Sequence, residues 1–393
     1  MKEVFIVSIA RTPIGNLGGV LSAASVIDLG KTAVAAAVKR AGIAPEMVQE
    51  LYMGHVLGAN TGQAPTMQVA LAAGLPNTTV CTGVNKVCAS GMKAIMLAAQ
   101  SIMLGDNDIV VAGGMESMSN APHYLPSMRG GVRYGDSKVI DAIVRDGLQD
   151  PYDQSMMGMA GEHCAEQKNI SKDAQDEYAW ASYERARAAQ AAGYFDNEIA
   201  PVEITVPRKP SIIVSKDEEV GNARVTSLDS VKGARAVFSN TISAVNASKI
   251  NDGAAAMVLM SGEKAKELGL KPIAKIVSFA DANQAPIWFT TTPAKAMPKA
   301  LAKAGLTMID IDFIEVNEAF SVVALANMEE LSIPHEKINV FGGAVALGHP
   351  IGASGCRIVA TLLSVLQHKG GKRGIASICN GGGGASAIVV ELV

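Results

Sequence analysis

The sequence predicts an α/β protein of two similar halves with a long segment inserted between them, and three observations carry that prediction. First, segments 4–9, 109–112 and 387–390 are continuous apolar runs, the pattern of strands covered on both faces. Second, the chain repeats itself. Ala41-Gly42-Ile43 precedes Glu50-Leu51-Tyr52-Met53, and 263 residues later Ala304-Gly305-Leu306 precedes Phe313-Ile314-Glu315-Val316. Ala89-Ser90-Gly91 returns 264 residues later as Ala353-Ser354-Gly355. Third, each Ala-Ser-Gly opens a helical pattern followed by a short apolar run that ends in glycines, Ile109 to Gly114 in one case and Ile375 to Cys379 before a glycine run in the other. The repeated order helix, strand, helix, strand is that of two α/β units of like topology.

The elements divide the 393 residues into three parts. Residues 1–119 form an N-terminal half, completed by 246–270, and residues 271–393 form the C-terminal half. The segment 120–245 has a different character. It carries Pro122, Pro126, Gly130-Gly131 and Pro151, then a charged helical pattern over 171–192 with Ser171 as N-cap and Gly193 as its stop. A segment this long with its own helix reads as an inserted domain, not a linker.

Composition bounds the function. A formal charge of −3 excludes a strongly basic nucleic-acid binder. No uninterrupted run reaches about 18 apolar residues, so no membrane span is expected. Met1-Lys2-Glu3 runs straight into a strand, which leaves no room for a leader, and Glu391-Leu392-Val393 is not a peroxisomal address. Five cysteines without paired spacing argue for a reducing compartment and against a disulfide framework or a zinc site. Cytoplasmic residence is the expectation.

Four segments carry chemistry. Cys88 lies in Asn85-Lys86-Val87-Cys88-Ala89-Ser90-Gly91, where an apolar run gives way to a helical pattern. A thiol at a helix start meets the positive end of the macrodipole, which favours thiolate, and unpaired N–H groups that can hold an oxyanion. The competing reading is a core cysteine, the usual fate of a free thiol. His349, between Gly348 and Pro350, is the best base for it, with His55 a second possibility. Asn317, in Val316-Asn317-Glu318-Ala319-Phe320, can donate to an oxyanion, while Glu318 orients its neighbours. Cys379 precedes four glycines, whose N–H groups can approach a ligand closely. A second thiol suits proton transfer, because an acylated Cys88 cannot itself deprotonate a second substrate. Cys81, Cys164 and Cys356, and His123, His163, His335 and His368, read as structural.

These four segments, in this order and spread over nearly the whole chain, resemble the thiolase family, and within it the short-chain members. The resemblance implies a five-layered αβαβα fold whose halves share a central helical layer, with 120–245 as a loop domain covering the coenzyme. It implies reversible Claisen condensation of two acetyl-CoA to acetoacetyl-CoA plus CoA, by a ping-pong route through an acetyl-cysteine. Asn317 and His349 would form one oxyanion hole, and the N–H groups of Cys88 and Gly381 a second. Contacts to CoA would come from Met157, Arg224, Ser230, Phe238, Ser248 and Phe320. Ser248 matches a serine that touches the pantetheine; its other reading is the N-cap of a short helix. The CoA thioesters are substrates, so no cofactor or metal is expected. The assembly implied is a homotetramer, a dimer of dimers, with 120–145 resembling a tetramerisation loop.

Two departures stand out. Met156 stands where many members carry a histidine, which weakens a polar pantetheine contact. Val220 follows Asp217-Glu218-Glu219 where potassium-activated members carry tyrosine, which counts against potassium activation and leaves it open. The alternatives are a 3-ketoacyl-CoA thiolase of broader chain length and a non-catalytic lipid-binding protein of the same fold. The latter predicts a missing nucleophile or histidine. Ketoacyl synthases pair one cysteine with two histidines, and Cys379 argues against them.

Overall fold

The computed structural model describes residues 1–205 and 210–393. Strand Val4–Arg11 pairs antiparallel with Asn251–Ser261, which pairs antiparallel with Ile109–Ser117. Glu50–Gly54 lies parallel to the last of these, and Val80–Val84 parallel to it at the edge. The second half repeats the order. Ala274–Asn283 runs antiparallel to Gly384–Leu392, then comes Arg373–Asn380 antiparallel, then Phe313–Val316 parallel. The first strands of the two halves also meet, Phe5 opposite Lys275 and Ile6 opposite Ala274, so pairing continues from one sheet into the other.

Apolar contacts define five layers. Helices Val26–Ala41 and Pro65–Ala72 bury Leu29, Val34 and Val69 against Leu51, Val111 and Val258 on the outer face of the first sheet. Helices Pro293–Ala304 and Ser321–Leu331 bury Met297 and Val323 against Ile314, Ile375 and Val389 on the outer face of the second. Between the sheets lie helices Ser90–Leu104 and Ile351–Lys369, whose Ile95 and Leu363 share a core with Val110, Leu259, Ile378 and Ile388. The Ala-Ser-Gly repeats mark where these two helices touch. A Cβ on Gly91 would stand 2.9 Å from the Cys356 nitrogen, and one on Gly355 2.4 Å from the Met92 nitrogen. Only glycine permits that approach, and it brings both helix starts to one edge of the sheets.

The window Val87–Leu104 has a mean hydropathy of 1.5 over 18 residues, enough by composition to cross a membrane. Counting uninterrupted apolar residues overlooked it, because Ser90, Lys93 and Gln100 break the run. The fold gives that hydropathy another use, since 61% of the window is buried as a central helix.

The inserted segment begins with a ribbon, His123–Tyr124 paired with Ile140–Asp141, whose connecting loop leaves Leu125, Met128, Val132 and Tyr134 exposed. Helix Lys172–Ala191 is capped by Ser171 Oγ, which accepts from the Ala174 N–H at 3.1 Å, and Gly193 follows its end at φ 73°. A buried ion network ties this segment to the first strand. Arg11 donates to both Asp217 oxygens at 2.7 and 2.9 Å, and to Glu198 at 2.9 Å. The planar fork of arginine suits such bidentate pairing.

Candidate active site

Asn317 directly follows strand Phe313–Val316, Cys379 is the penultimate residue of strand Arg373–Asn380, and Cys88 and His349 stand just before the two central helices, so the layering places them on one edge. The Cys88 loop is held by its own side chains. Ser90 Oγ accepts from the Lys86 N–H at 2.8 Å and donates to the Val87 carbonyl at 2.6 Å. Lys86 Nζ reaches Ser386 Oγ at 2.8 Å and pairs with Asp281, tying the loop to the second sheet. Val87 stands at φ 48°. A β-branched residue there is strained by about 1–3 kcal/mol, the kind of cost that surrounding structure sustains at functional turns.

Helix Ser90–Leu104 starts two residues after Cys88. Burial pushes the thiol pKa up to about 11, opposed by the Gly381 and Cys88 N–H groups; by surface accessibility the residue is half-buried. The sequence showed the helix start but not the desolvation that outweighs it. Those two N–H groups both reach the sulfur. Cys379 is fully buried, and burial, with charge on Cys88 adding to it, drives its thiol well above the ordinary range.

His349 is buried, and burial, with the positive Arg357 adding, pushes its pKa down to about 3. It is therefore a neutral imidazole. Its Nδ1 lies 2.6 Å from Ser354 Oγ, which donates to the Pro350 carbonyl at 2.9 Å. Ser354 has one proton, so with that proton on Pro350 the imidazole carries its own on Nδ1. Nε2 is left as acceptor, facing Asn317 Nδ2 at 3.5 Å. The His349 N–H donates to Asn251 Oδ1 at 2.8 Å, and the segment at Ile250 bridges to His349. Gly348 stands at φ 104°, where a Cβ would come within 2.7 Å of Asn251.

Glu318 does not reach the reacting groups. Its buried carboxylate accepts from Tyr178 Oη at 2.9 Å, Ser182 Oγ at 2.8 Å, Asn339 Nδ2 at 2.9 Å and the Val345 N–H at 3.0 Å. It thereby locks the inserted segment to the loops carrying Asn317 and His349. His55 Nε2 stands 3.4 Å from Glu116, and burial pushes its pKa down to about 4. Glu116 accepts from the N–H groups of Val56, Leu57 and Gly352 at 3.1, 3.1 and 2.9 Å, fixing the start of helix Ile351–Lys369.

A cleft of about 570 Å³ leads to His349, and Met157, Arg224, Phe238, Ser248 and Phe320 line it. Ser230 does not. Its hydroxyl is spent in a capping box with Ser227, at the start of the short helix Leu228–Lys232. The N-cap reading of Ser248 also fails, since strand Asn251–Ser261 follows it, and its N–H donates to the Ala319 carbonyl at 2.9 Å. Glu162 fixes the turn that follows Phe238, accepting from the N–H groups of residues 239–242. On the far side of Cys88, Val56, Leu57, Met118, Ile143 and Ile351 form a compact apolar cluster. The remaining histidines pack on aromatic rings or charged surface, His163 against Trp288 and His368 against Tyr194. Cys164 and Cys356 are buried and Cys81 half-buried.

Sequence reasoning missed Ser354, Asn251, Glu116, Glu162 and Lys249. Ser354 left a signal, because it belongs to the repeated Ala-Ser-Gly, and Lys249 and Asn251 lie in the segment that carries Ser248.

Comparison with known proteins places this geometry among relatives. Residues 4–263 match the family described as thiolase, N-terminal domain, and residues 270–392 match thiolase, C-terminal domain. The chain is 54% identical over 393 residues to acetyl-CoA acetyltransferase 2 of Arabidopsis thaliana, covering all of this chain and 98% of the relative. It is 54% identical over 394 residues to the cytosolic acetyl-CoA acetyltransferase ERG10 of Gibberella zeae, covering 100% and 98%. Among solved structures, the Acat5 thiolase of Ascaris suum in complex with coenzyme A superposes with a TM-score of 0.93 at 42% identity, covering both chains completely.

Proposed function

The chain belongs to the thiolase family, and on that premise we propose that it condenses two acetyl-CoA to acetoacetyl-CoA and CoA, and runs the reverse cleavage, through an acetyl group carried on Cys88. It is an acyltransferase acting on CoA thioesters, which are substrates and not resident cofactors. The observation that carries the residue roles is His349, which lines the inner cleft as a neutral imidazole with Nε2 held as acceptor.

In the first half-reaction Cys88 gives its proton to His349 Nε2 as sulfur attacks the thioester. The Cys88 and Gly381 N–H groups face the developing oxyanion, and Asn317 and His349 are left to hold the thioester oxygen of the second acetyl-CoA. Collapse expels CoA, which leaves as thiol with the proton from His349. In the second, Cys379 passes its proton to His349, and its thiolate takes one from the methyl group of a second acetyl-CoA. The carbanion attacks acetyl-Cys88, whose carbonyl oxygen is held by the Cys88 and Gly381 N–H groups. Acetoacetyl-CoA leaves, and Cys88 recovers a proton from His349. Both thiols and the imidazole end as they began.

The apolar cluster beside Cys88 favours a short acyl group. The test is CoA-dependent cleavage of 3-ketoacyl-CoAs of increasing length. Selectivity for acetoacetyl-CoA is expected, and equal or better kcat/KM with long chains would contradict the short-chain reading. We further propose a homotetramer whose ribbon at residues 123–141 joins two dimers, supported by its exposed apolar side chains. Cytoplasmic residence is supported by the cytosolic naming of one relative.

A further inference from the structure

Lys86, two residues before Cys88, is a cation that the proposed mechanism does not use. Its ammonium crosses from the first half to the second. It pairs with Asp281 Oδ1 at 2.5 Å and reaches Ser386 Oγ at 2.8 Å and the Ala385 carbonyl at 3.4 Å. Ser386 Oγ in turn donates to Asp281 Oδ1 at 2.6 Å. Lys93, in the first turn of helix Ser90–Leu104, donates to the other carboxylate oxygen at 2.9 Å. One carboxylate thus gathers the Cys88 loop and the helix behind it.

It gathers them onto the strand beside Cys379. Asp281 lies opposite Ser386, and the neighbouring Ala385 lies opposite Cys379. Gly384 opens that strand, directly after the turn that carries the Gly381 N–H. The two loops abut, because a Cβ on Gly381 would stand 3.8 Å from Val87 Cγ1. The Cys88 sulfur receives one N–H from each of them, its own and that of Gly381. Lys86, Lys93 and Asp281 keep 23%, 26% and 34% of their side-chain surface accessible, and ion pairs this wet add little to stability. Placement is far more sensitive, since a shift of about 1 Å at a reacting centre costs on the order of 100-fold in rate. Burial pushes the Asp281 carboxyl up, but the hydrogen bonds from Lys86, Ser386 and Lys93 outweigh it and hold its pKa at about 2, so the contact stays charged at any working pH.

We propose that Lys86 is a positioning residue that, through Asp281, sets the spacing between the Cys88 loop and the glycine turn after Cys379, and with it the pair of N–H groups in which the Cys88 sulfur reacts. The turnover readout of this proposal rests on the acetyl-transfer reading, whereas its thiol-reactivity readout does not.

The experiment compares the wild type with Lys86→Met, Asp281→Asn, the double variant and Lys86→Arg. Iodoacetamide alkylation of Cys88 is followed at one fixed pH by peptide mass mapping, with kcat and KM for acetoacetyl-CoA and the thermal midpoint measured in parallel. Charge alone predicts opposite signs, because losing the cation disfavours the thiolate and losing the anion favours it. Displacement of the Gly381 N–H predicts slower alkylation in both single variants, by about 3- to 10-fold, the worth of one hydrogen bond to the sulfur. In both, kcat should fall by about 10- to 100-fold. KM should change little, since neither Lys86 nor Asp281 is among the residues lining the cleft. The double variant should be no slower than the slower single variant, as expected of two residues acting through one contact. Lys86→Arg, which keeps charge and reach, should recover most of kcat. Three results overturn the proposal: an Asp281→Asn protein that alkylates faster than wild type, a folded single variant with normal kcat, or losses that add in the double variant. If Lys86→Met does not fold, Asp281→Asn, which keeps the shape of the side chain, decides by the sign of its alkylation rate. Should the wild type not turn over acetoacetyl-CoA, the acetyl-transfer reading fails while the alkylation rates still decide the role of Lys86.

Discussion

Replacing Ser354 by alanine isolates what orients the catalytic imidazole. Ser354 Oγ accepts from His349 Nδ1 at 2.6 Å and is bonded to Pro350 at 2.9 Å, and both residues are buried. Without the hydroxyl, Nδ1–H has no partner in a dry site, a desolvation cost of about 1–3 kcal/mol. The imidazole can avoid that cost by moving its proton to Nε2, which destroys the acceptor that Cys88 needs. If the whole cost falls on the productive tautomer, acylation slows by roughly 5- to 150-fold, at about tenfold per 1.4 kcal/mol. The assay is rapid-quench measurement of acetyl-enzyme formation from acetyl-CoA, with the thermal midpoint recorded to verify folding. Ser354→Thr keeps the hydroxyl and should recover part of the rate. A folded Ser354→Ala protein that acylates at the wild-type rate would refute the tautomer argument.

Two further expectations follow from the same geometry. Burial sets the His349 pKa near 3 in place of about 6.5, so the group stays neutral as pH falls through the range where an ordinary histidine protonates. The acylation rate should therefore show no loss centred near pH 6.5 and should not decline as pH rises toward the thiol's value of about 11; a half-loss near 6.5 would mean that the imidazole is solvated. Light scattering at micromolar concentration should report a tetramer, and charged replacements at Leu125 and Met128 should reduce it to a dimer; a wild-type monomer would remove the assembly altogether.

Much of the fold was legible because it is written twice. The offsets near 263 are the two sheets with the same strand order, and the two Ala-Ser-Gly segments are the crossing helices. Cys88, Asn317, His349 and Cys379 were legible as candidates because each sits beside glycines or at a strand end, where local context is unusual. What escaped depended on distance along the chain. Asn251 meets His349 from 98 residues away, and Glu116 meets Gly352 from 236. No local pattern announces such pairings. Ser230 shows the converse. Its placement in a functional-looking loop was readable, but its hydroxyl is consumed by a helix cap that only coordinates reveal. The surroundings of Cys88 were hidden for a related reason, since a helix start is visible in sequence and the desolvation around the thiol, which pushes its pKa up, is not. Counting uninterrupted apolar residues also passed over the window Val87–Leu104, whose hydropathy serves its burial as a central helix.

The central claim is that the two thiols divide the chemistry, Cys88 carrying the acyl group and Cys379 moving the proton. The most direct measurement is peptide mass mapping after brief exposure to acetyl-CoA, on the wild type and on Cys379→Ser, with condensation and cleavage rates measured in parallel. The account predicts acetyl on Cys88 in both proteins, and turnover of the variant reduced by about 10²–10⁴-fold. Acetyl found on another residue with Cys88 unmodified, or a Cys379→Ser protein with near-normal turnover, would contradict it.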